Sequence, residues 1–473
     1  MRDLLRETAD LAADYIESVP DRPVFPEVEL HDLRARLGGP VPDGPSEPSD
    51  VVRELAAVGS EAAVGMSGGR YFGFVIGGSV PAALAADWLT SAWDQNAGLY
   101  VGGPAAAVVE EVAGTWLADL LRLPRAVSFA FVTGSQMAHA TALAAARNHV
   151  LAEAGWDVER DGLTGAPKVR VLVGEKVHST VPRALRLLGL GTGSIVPVAA
   201  DGQGRMQPGA LREALVSGSG PTIVCAQAGE VNTGAFDPFA EIADAAGDAG
   251  AWLHVDGAFG LWAAASPRFA HLTAGAERAD SWVTDAHKWL NVPYDSGIAF
   301  CARPEPHRRA MQVHAEYLIH ADEGGPRDQM DWNPEFSRRA RGFAVYAAIR
   351  SLGRSGIAAM IERCCDCARR FADGLAGVPG AELLNDVVLN QVLFRFETDE
   401  RTDAVLAAVQ RSGVAWMSGS VWDGRSAIRL SVSNWQTSED DVDRTLAAFA
   451  DAAATATAVQ FSAGSSGISA TTR

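Results

Sequence analysis

Between Val127 and Arg303 the chain alternates short, almost wholly apolar runs with stretches of helical period. The apolar runs are AVSFAFVTG, VRVLVGE, GSIVPVAA, TIVCAQAG, WLHVDGAFG, DSWVTDA and GIAFCAR; SQMAHATALAAARNHVLAEAG and PFAEIADAAGDAG read as helices. A strand apolar on both faces has to be covered on both faces, so this pattern predicts an α/β fold with a mostly parallel sheet between helices. From about Gly342 the pattern changes to a long helix, then shorter strands (NQVLFRFE, VAWMSGSVW, SAIRLSVSN) and a closing helix, SEDDVDRTLAAFADAAA. The resulting division is a helical and extended segment over 1–57, a large domain over 58–345 and a small α+β domain over 346–459. Residues 460–473, ending in FSAGSSGISATTR, have the composition of a disordered tail.

Composition narrows the functional classes. A length of 473 residues exceeds what one ordinary core serves. The formal charge of −18 argues against a nucleic-acid or anionic-membrane partner, either of which needs a basic face. The first residues, MRDLLRETADLAADYIESV, form an acidic amphipathic pattern unlike a basic-then-apolar signal peptide. Five cysteines, an odd number, suggest a reducing cytoplasm. Cys364, Cys365 and Cys367 cluster on a helical run with no second ligand pair, so no metal is expected there. Only three of the forty basic residues are lysines: Lys168, Lys176 and Lys288. A lysine kept where arginine serves every generic need points to a role that requires losing a proton and attacking as an amine. Lys168 and Lys176 flank a strand-like run, whereas Lys288 sits in apolar surroundings that can depress an amine pKa.

Four features lie at successive strand ends, where open α/β sheets bind ligands. Gly134, Ser135 and Gln136 sit between a strand and a helix, a turn that suits a phosphate and equally suits plain helix capping. His178 follows a second strand, placed to stack on a flat ring or to cap the next helix. Asp256 ends a strongly apolar strand, where its charge needs a partner such as a protonated pyridine nitrogen, or the amides of the next loop. Gly257 and Ala258 beside it leave room for a ring. His287 and Lys288 come 32 residues after Asp256, one strand–connection–strand unit on.

HVDGAFG followed by DAHKWLNVPYDSG resembles the group II pyridoxal 5′-phosphate (PLP) dependent amino-acid decarboxylases, and the resemblance runs from YFGFVIGGSVPAALAADWL to IRLSVSNW. It implies the PLP-dependent transferase fold type I, with a mostly parallel seven-stranded sheet in the large domain. It implies that Lys288 carries PLP covalently, Asp256 pairs with the ring nitrogen, His178 stacks on the ring and Ala258 lies against its other face. Gly134, Ser135, Gln136 and His287 would hold the phosphate, with Asp285 nearby. The pocket wall would fall at Phe72 to Gly77, including Phe74 and Ile76, and a mobile loop at about Leu318 to Trp332 that closes over the other subunit of a homodimer. The implied reaction is loss of CO2 from an L-amino acid; another PLP lyase reaction (retro-aldol cleavage or aldehyde synthesis) and transamination stand as alternatives.

Three departures bear on the reaction. The loop stretch GGPRDQMDW lacks the usual tyrosine, with Gln329 or Met330 near its place and Tyr317 well upstream; loss of that tyrosine accompanies a changed outcome in the family. Glu230 stands where a threonine is common, open to roles as a general base, a partner of a basic substrate or a solvated side chain. FVIGGS lacks the aromatic and proline residues of the aromatic-substrate enzymes, which leaves the substrate unnamed. Arg429, or the SRRARG arginines Arg338, Arg339 and Arg341, are candidates to clamp a substrate carboxylate, against plain pairing with acidic residues.

Overall fold

A computed structural model of the chain describes residues 1–313 and 325–465, with side chains through residue 455. Each apolar run becomes a strand of one seven-stranded sheet: β1 (Ser128–Val132), β2 (Arg170–Gly174), β3 (Ile195–Val198), β4 (Thr222–Gln227), β5 (Trp252–Asp256), β6 (Ser281–Asp285) and β7 (Gly297–Cys301). The order is β1-β7-β6-β5-β4-β2-β3. Only β7 runs against its neighbours β1 and β6; the remaining pairings are parallel. Every residue of β1, β4, β5, β6 and β7 is buried, which is why these runs carry no alternation of polar and apolar positions.

The helix Ser135–Glu153 is alanine-rich and buried on nearly every side. Its Ala138 and Ala142 pack with Ala130 and Val132 of β1, Val283 of β6 and Ala299 of β7. Small side chains let the helix backbone lie close to the sheet, so the few larger residues on it, His139 among them, reach the strands directly.

The chain divides into two compact units. One comprises Gly77–Asp366 and Asn385–Gln391 and holds the seven-stranded sheet; the other comprises Met1–Ile76, Cys367–Leu384 and the chain from Val392. The second unit carries a small sheet of β8 (Glu382–Leu383), β9 (Gln391–Arg395), β10 (Ser418–Trp422) and β11 (Arg425–Ser431) in the order β10-β11-β9-β8, its first residue, Gln391, counted with the other unit. Residues 1–57, read from sequence as a segment by themselves, group with the C-terminal residues, to which Val24 N donates at Gly413 O (2.9 Å); further on, Phe72 N donates to Trp416 O (2.7 Å) and Ser431 N to Phe72 O (3.0 Å). The Arg70 guanidinium adds bonds to Pro20 O (2.7 Å) and Arg22 O (3.0 Å). The change of unit falls at Asp366 and Cys367, inside the helical stretch Gly342–Leu375. That stretch is broken once, at Gly353, whose φ of 62° needs a glycine.

Cys364, Cys365 and Cys367 are buried in the second half of that stretch. Among the described residues, no group of three or more His, Cys, Asp or Glu is placed to hold a metal, and no helix is long and apolar enough to cross a membrane. The last helix, Glu439–Ser465, takes in residues 460–465, which composition places in a loose tail; residues 466–473 lie outside those described.

One buried carboxylate ties the end of β4 to its surroundings. Asp237 accepts hydrogen bonds from Gln227 N and Met206 N, both at 2.7 Å. Burial pushes its carboxyl from the ordinary 3.8 up to about 6, the two amides pulling the other way. A carboxyl whose folded pKa lies above its unfolded one binds protons better when folded. Its contribution is fully present below about pH 3.8 and is lost as pH rises through about 6. Denaturant titrations from pH 4 to 7 are expected to show wild type losing about 2 kcal/mol that Asp237→Asn does not lose; parallel curves for the two proteins would contradict this.

Candidate active site

Five elements of the larger unit converge at the strand ends. β1 leads through Gly134 into the helix Ser135–Glu153; β5 ends at Asp256; β6 ends at Asp285, followed by His287 and Lys288; β7 begins beside Gly297. Glycine is required where β7 meets the turn: a Cβ at Gly297 would lie 2.4 Å from the Cα of Gly134. Likewise a Cβ at Gly77 would lie 1.8 Å from the carbonyl oxygen of Lys288, so the chain entering this unit runs directly against the backbone of that lysine.

Lys288 Nζ lies 2.9 Å from Asp285 Oδ2, and Asp285 Oδ1 accepts the first amide of the helix, Ser135 N, at 2.6 Å. The lysine is therefore ion-paired, not isolated in apolar surroundings as its neighbours in sequence suggest, because the D-A-H-K spacing sets the carboxylate three residues before it. Burial alone would raise the Asp285 carboxyl, but Lys288, His287 and the Ser135 contact hold it below the ordinary range. His287 Nδ1 accepts a hydrogen bond from Ser296 N at 3.1 Å, and its ring stacks on Tyr294 with centroids 4.3 Å apart.

Around this pair the buried hydroxyls of Ser135 and Ser296 have no hydrogen-bond partner. Buried polar groups are normally satisfied, so unpaired hydroxyls beside a helix N-terminus and an imidazole mark a seat for an anion with several acceptor oxygens. These residues fit the phosphate of PLP. Ser296 was not singled out from sequence; its serine in YDSG is the only local signal. Gln136 turns aside to donate to Thr180 O at 3.3 Å.

Asp256 is buried, with Oδ1 accepting from Ala258 N at 3.1 Å and Oδ2 lying 3.3 Å from His139 Nε2. Burial would raise this carboxyl too; His139, His178 and the Ala258 amide overcome burial and hold it well below the carboxylate range. Ala258 O in turn accepts from Asp285 N at 2.9 Å, which links the two carboxylate sites through one backbone unit. His178 is half-buried, and its Nδ1 lies 2.8 Å from Thr180 Oγ1 and 3.4 Å from Thr180 N. An amide can only donate, so Nδ1 is the acceptor and the proton of neutral His178 sits on Nε2.

Glu230 is buried, which removes the solvated reading. Its carboxylate accepts from Asn232 N (2.7 Å), Asn232 Nδ2 (2.9 Å), Thr233 N (2.7 Å) and Thr233 Oγ1 (3.2 Å), closing the turn that follows β4. Burial raises its pKa against the pull of those bonds. Arg338 is committed to Glu110 through two 2.7 Å bonds, Arg341 to Asp295 and Glu335, and Arg339 to Asp87. This is the pairing with acidic residues, and it occupies all three arginines of the SRRARG stretch. Phe74, Ile76 and Arg429 belong to the other unit, where Arg429 is buried on β11 opposite Ser418 and Phe74 is exposed at a φ of 53°. Of the proposed mobile loop, residues 314–324, including Tyr317, lie outside those described. Gln329–Trp332 forms a short 3-10 helix, with Gln329 Nε2 on Ala107 O (3.1 Å) and Met330 N on Gly98 O (2.9 Å).

A seven-stranded sheet with a lysine, a phosphate seat and an ionised aspartate at adjacent strand ends defines a PLP-dependent enzyme of fold type I. The sequence profile of the pyridoxal-dependent decarboxylase conserved domain matches residues 65–397, and the chain belongs to that family. It is 28% identical over 468 residues to tryptophan decarboxylase 1 of Oryza sativa subsp. japonica, covering 92% of this chain and 90% of the relative. It is 26% identical over 457 residues to an aromatic-L-amino-acid decarboxylase of Bacillus atrophaeus, covering 93% of each. The crystal structure of Oryza sativa TDC with PLP and tryptamine superposes with a TM-score of 0.90 at 26% identity, over 96% of this chain and 97% of that one. The chain is thus a PLP-dependent amino-acid carboxy-lyase, as the resemblance of its motifs implies.

Removing the Ser135 or Ser296 hydroxyl by alanine is expected to weaken PLP binding roughly 10-fold or more each, as for a hydrogen bond to a charged group. Titration of the apoprotein, followed by absorbance, measures this; unchanged affinity in both variants would remove the two hydroxyls from the phosphate seat.

Proposed function

We propose that the chain releases CO2 from an L-amino acid with an aromatic side chain, as a cytoplasmic homodimer, with Lys288, Asp256 and His178 as its catalytic residues. The observation that carries the reading is the pairing of Lys288 with Asp285 on the amide of Ser135, one strand from the ionised Asp256. Bound PLP supplies an electron sink for the pair left when the bond from Cα to the carboxylate breaks. Lys288, its amine held on Asp285, would be the residue that holds the cofactor. Asp256 would pair with the ring nitrogen, and His178 would stack on the ring. His178 Nε2, which bears the proton in the neutral tautomer, or Lys288 Nζ returns a proton to Cα.

The aromatic preference is supported by the names of the relatives. Within its own unit Phe74 packs on Trp416 at 5.7 Å between centroids, and Trp416 stacks on Tyr71 at 5.2 Å and on Phe25 at 6.2 Å. Exposed apolar residues support self-association: Leu5, Leu30, Leu37 and Leu55 in the N-terminal helices, and Trp88, Leu89 and Trp93 on the helix Pro81–Trp93. Five buried cysteines, none of them in a disulfide, suit a reducing compartment.

A second reading, decarboxylation with release of an aldehyde, is favoured by one observation. The described part of the loop, residues 325–332, holds no tyrosine, and Gln329 and Met330 are buried in the short helix there. Purified holoprotein, sedimenting as a pair of 49.7 kDa chains, is expected to release CO2 and an amine in equal amounts from tryptophan, phenylalanine or tyrosine. Aldehyde with ammonia and peroxide in place of the amine would support the second reading, and no CO2 from any of them would defeat the substrate assignment.

A further inference from the structure

Trp252, His254 and Asp256 alternate along β5, so all three face the same side of the sheet, toward the helix Ser135–Glu153. His139 descends from that helix between the last two. Its Nδ1 lies 2.9 Å from His254 Nε2, and its Nε2 lies 3.3 Å from Asp256 Oδ2, close to the carboxylate but not aligned as a hydrogen bond. His254 Nδ1 lies 2.8 Å from the hydroxyl of Ser281, its register partner on β6, and that hydroxyl receives Trp252 Nε1–H at 2.9 Å. Both imidazoles are wholly buried.

The proton positions follow from what each end permits. An indole nitrogen only donates, and an ionised carboxylate only accepts. Ser281 accepts from Trp252 and turns its own O–H to His254 Nδ1. His254 therefore carries its proton on Nε2 and donates to His139 Nδ1. His139 then carries its proton on Nε2, facing Asp256. The opposite assignment would set a bare imidazole lone pair against the carboxylate and leave the serine proton without an acceptor in the chain. Each ring carries a single proton in this arrangement, and burial lowers the pKa of His254 to about 3.

We propose that Trp252, Ser281, His254 and His139 form a one-way donor chain that holds Asp256 as an oriented carboxylate for the cofactor's ring nitrogen. The proposal rests on Asp256 being the partner of that nitrogen. His139 and His254 are positioning residues: they act through Asp256 and reach the cofactor only by way of it. With Ala258 N bonded to one oxygen and His139 Nε2 set 3.3 Å from the other, both oxygens of the carboxylate are flanked by donors before any cofactor arrives.

The test begins with the apoprotein. Nitrogen-15 NMR of labelled histidines is expected to show both His139 and His254 as neutral Nε2–H tautomers, with exchange-protected imidazole protons. In the holoprotein, His139→Leu is expected to weaken PLP binding about 10-fold or more. It is also expected to shift the cofactor's visible band and to lower kcat with little change in KM; His139→Gln, whose amide donates, should recover part of each. Ser281→Ala, a milder change, should convert part of the His254 population to the other tautomer. Asp256→Ala separates the layers. If it loses PLP affinity while His139→Leu and Ser281→Ala leave affinity, band and tautomers unchanged, the donor chain is wrong. If Asp256→Ala itself binds PLP normally, the reading of Asp256 fails and the chain's purpose falls with it.

Discussion

The Asp285 carboxylate, enclosed at the end of β6, binds together the parts on which the site depends. One oxygen takes the amide of Ser135, the other takes Lys288 Nζ, and its backbone N–H reaches Ala258 beside Asp256. A charge buried this deeply persists only when its partners satisfy it. The phosphate turn, the lysine and the end of β5 are consequently held to one another, not merely brought near. The glycines at 77, 134 and 297 allow the backbones to meet at the distances this requires.

Two aspartates on neighbouring strands thus do different work. Asp285 is paired with a lysine and takes the first amide of a helix; Asp256 is held below the ordinary carboxylate range by His139, His178 and the Ala258 amide. A carboxylate so arranged keeps a strong preference for a protonated ring nitrogen. Environment separates their roles, since both are buried side chains of the same type at the ends of adjacent parallel strands.

Much of this was legible in the residues. The apolar runs marked all seven strands, five of which are buried throughout and so carry no alternation, and D-G-A-F with A-H-K-W carried the resemblance that implies the cofactor. What depended on pairing across the fold was not legible. His139 lies 117 residues before Asp256, and only the packing of an alanine-rich helix on β5 and β6 joins them. The reversed direction of β7 leaves no trace in a strand buried on both faces. Glu230 read as an open chemical possibility because its four donors come from a turn whose closure sequence does not announce. The N-terminal segment joins the C-terminal residues through backbone bonds, which no side-chain pattern encodes.

The central claim is that Lys288, alone among three lysines, carries the cofactor. Reduction of the holoprotein with borohydride, followed by digestion and mass mapping, tests it directly. A phosphopyridoxyl label is expected on the peptide containing Lys288, with Lys168 and Lys176 unmodified. A label on either of those lysines, or none on Lys288 in protein loaded with PLP, would contradict it.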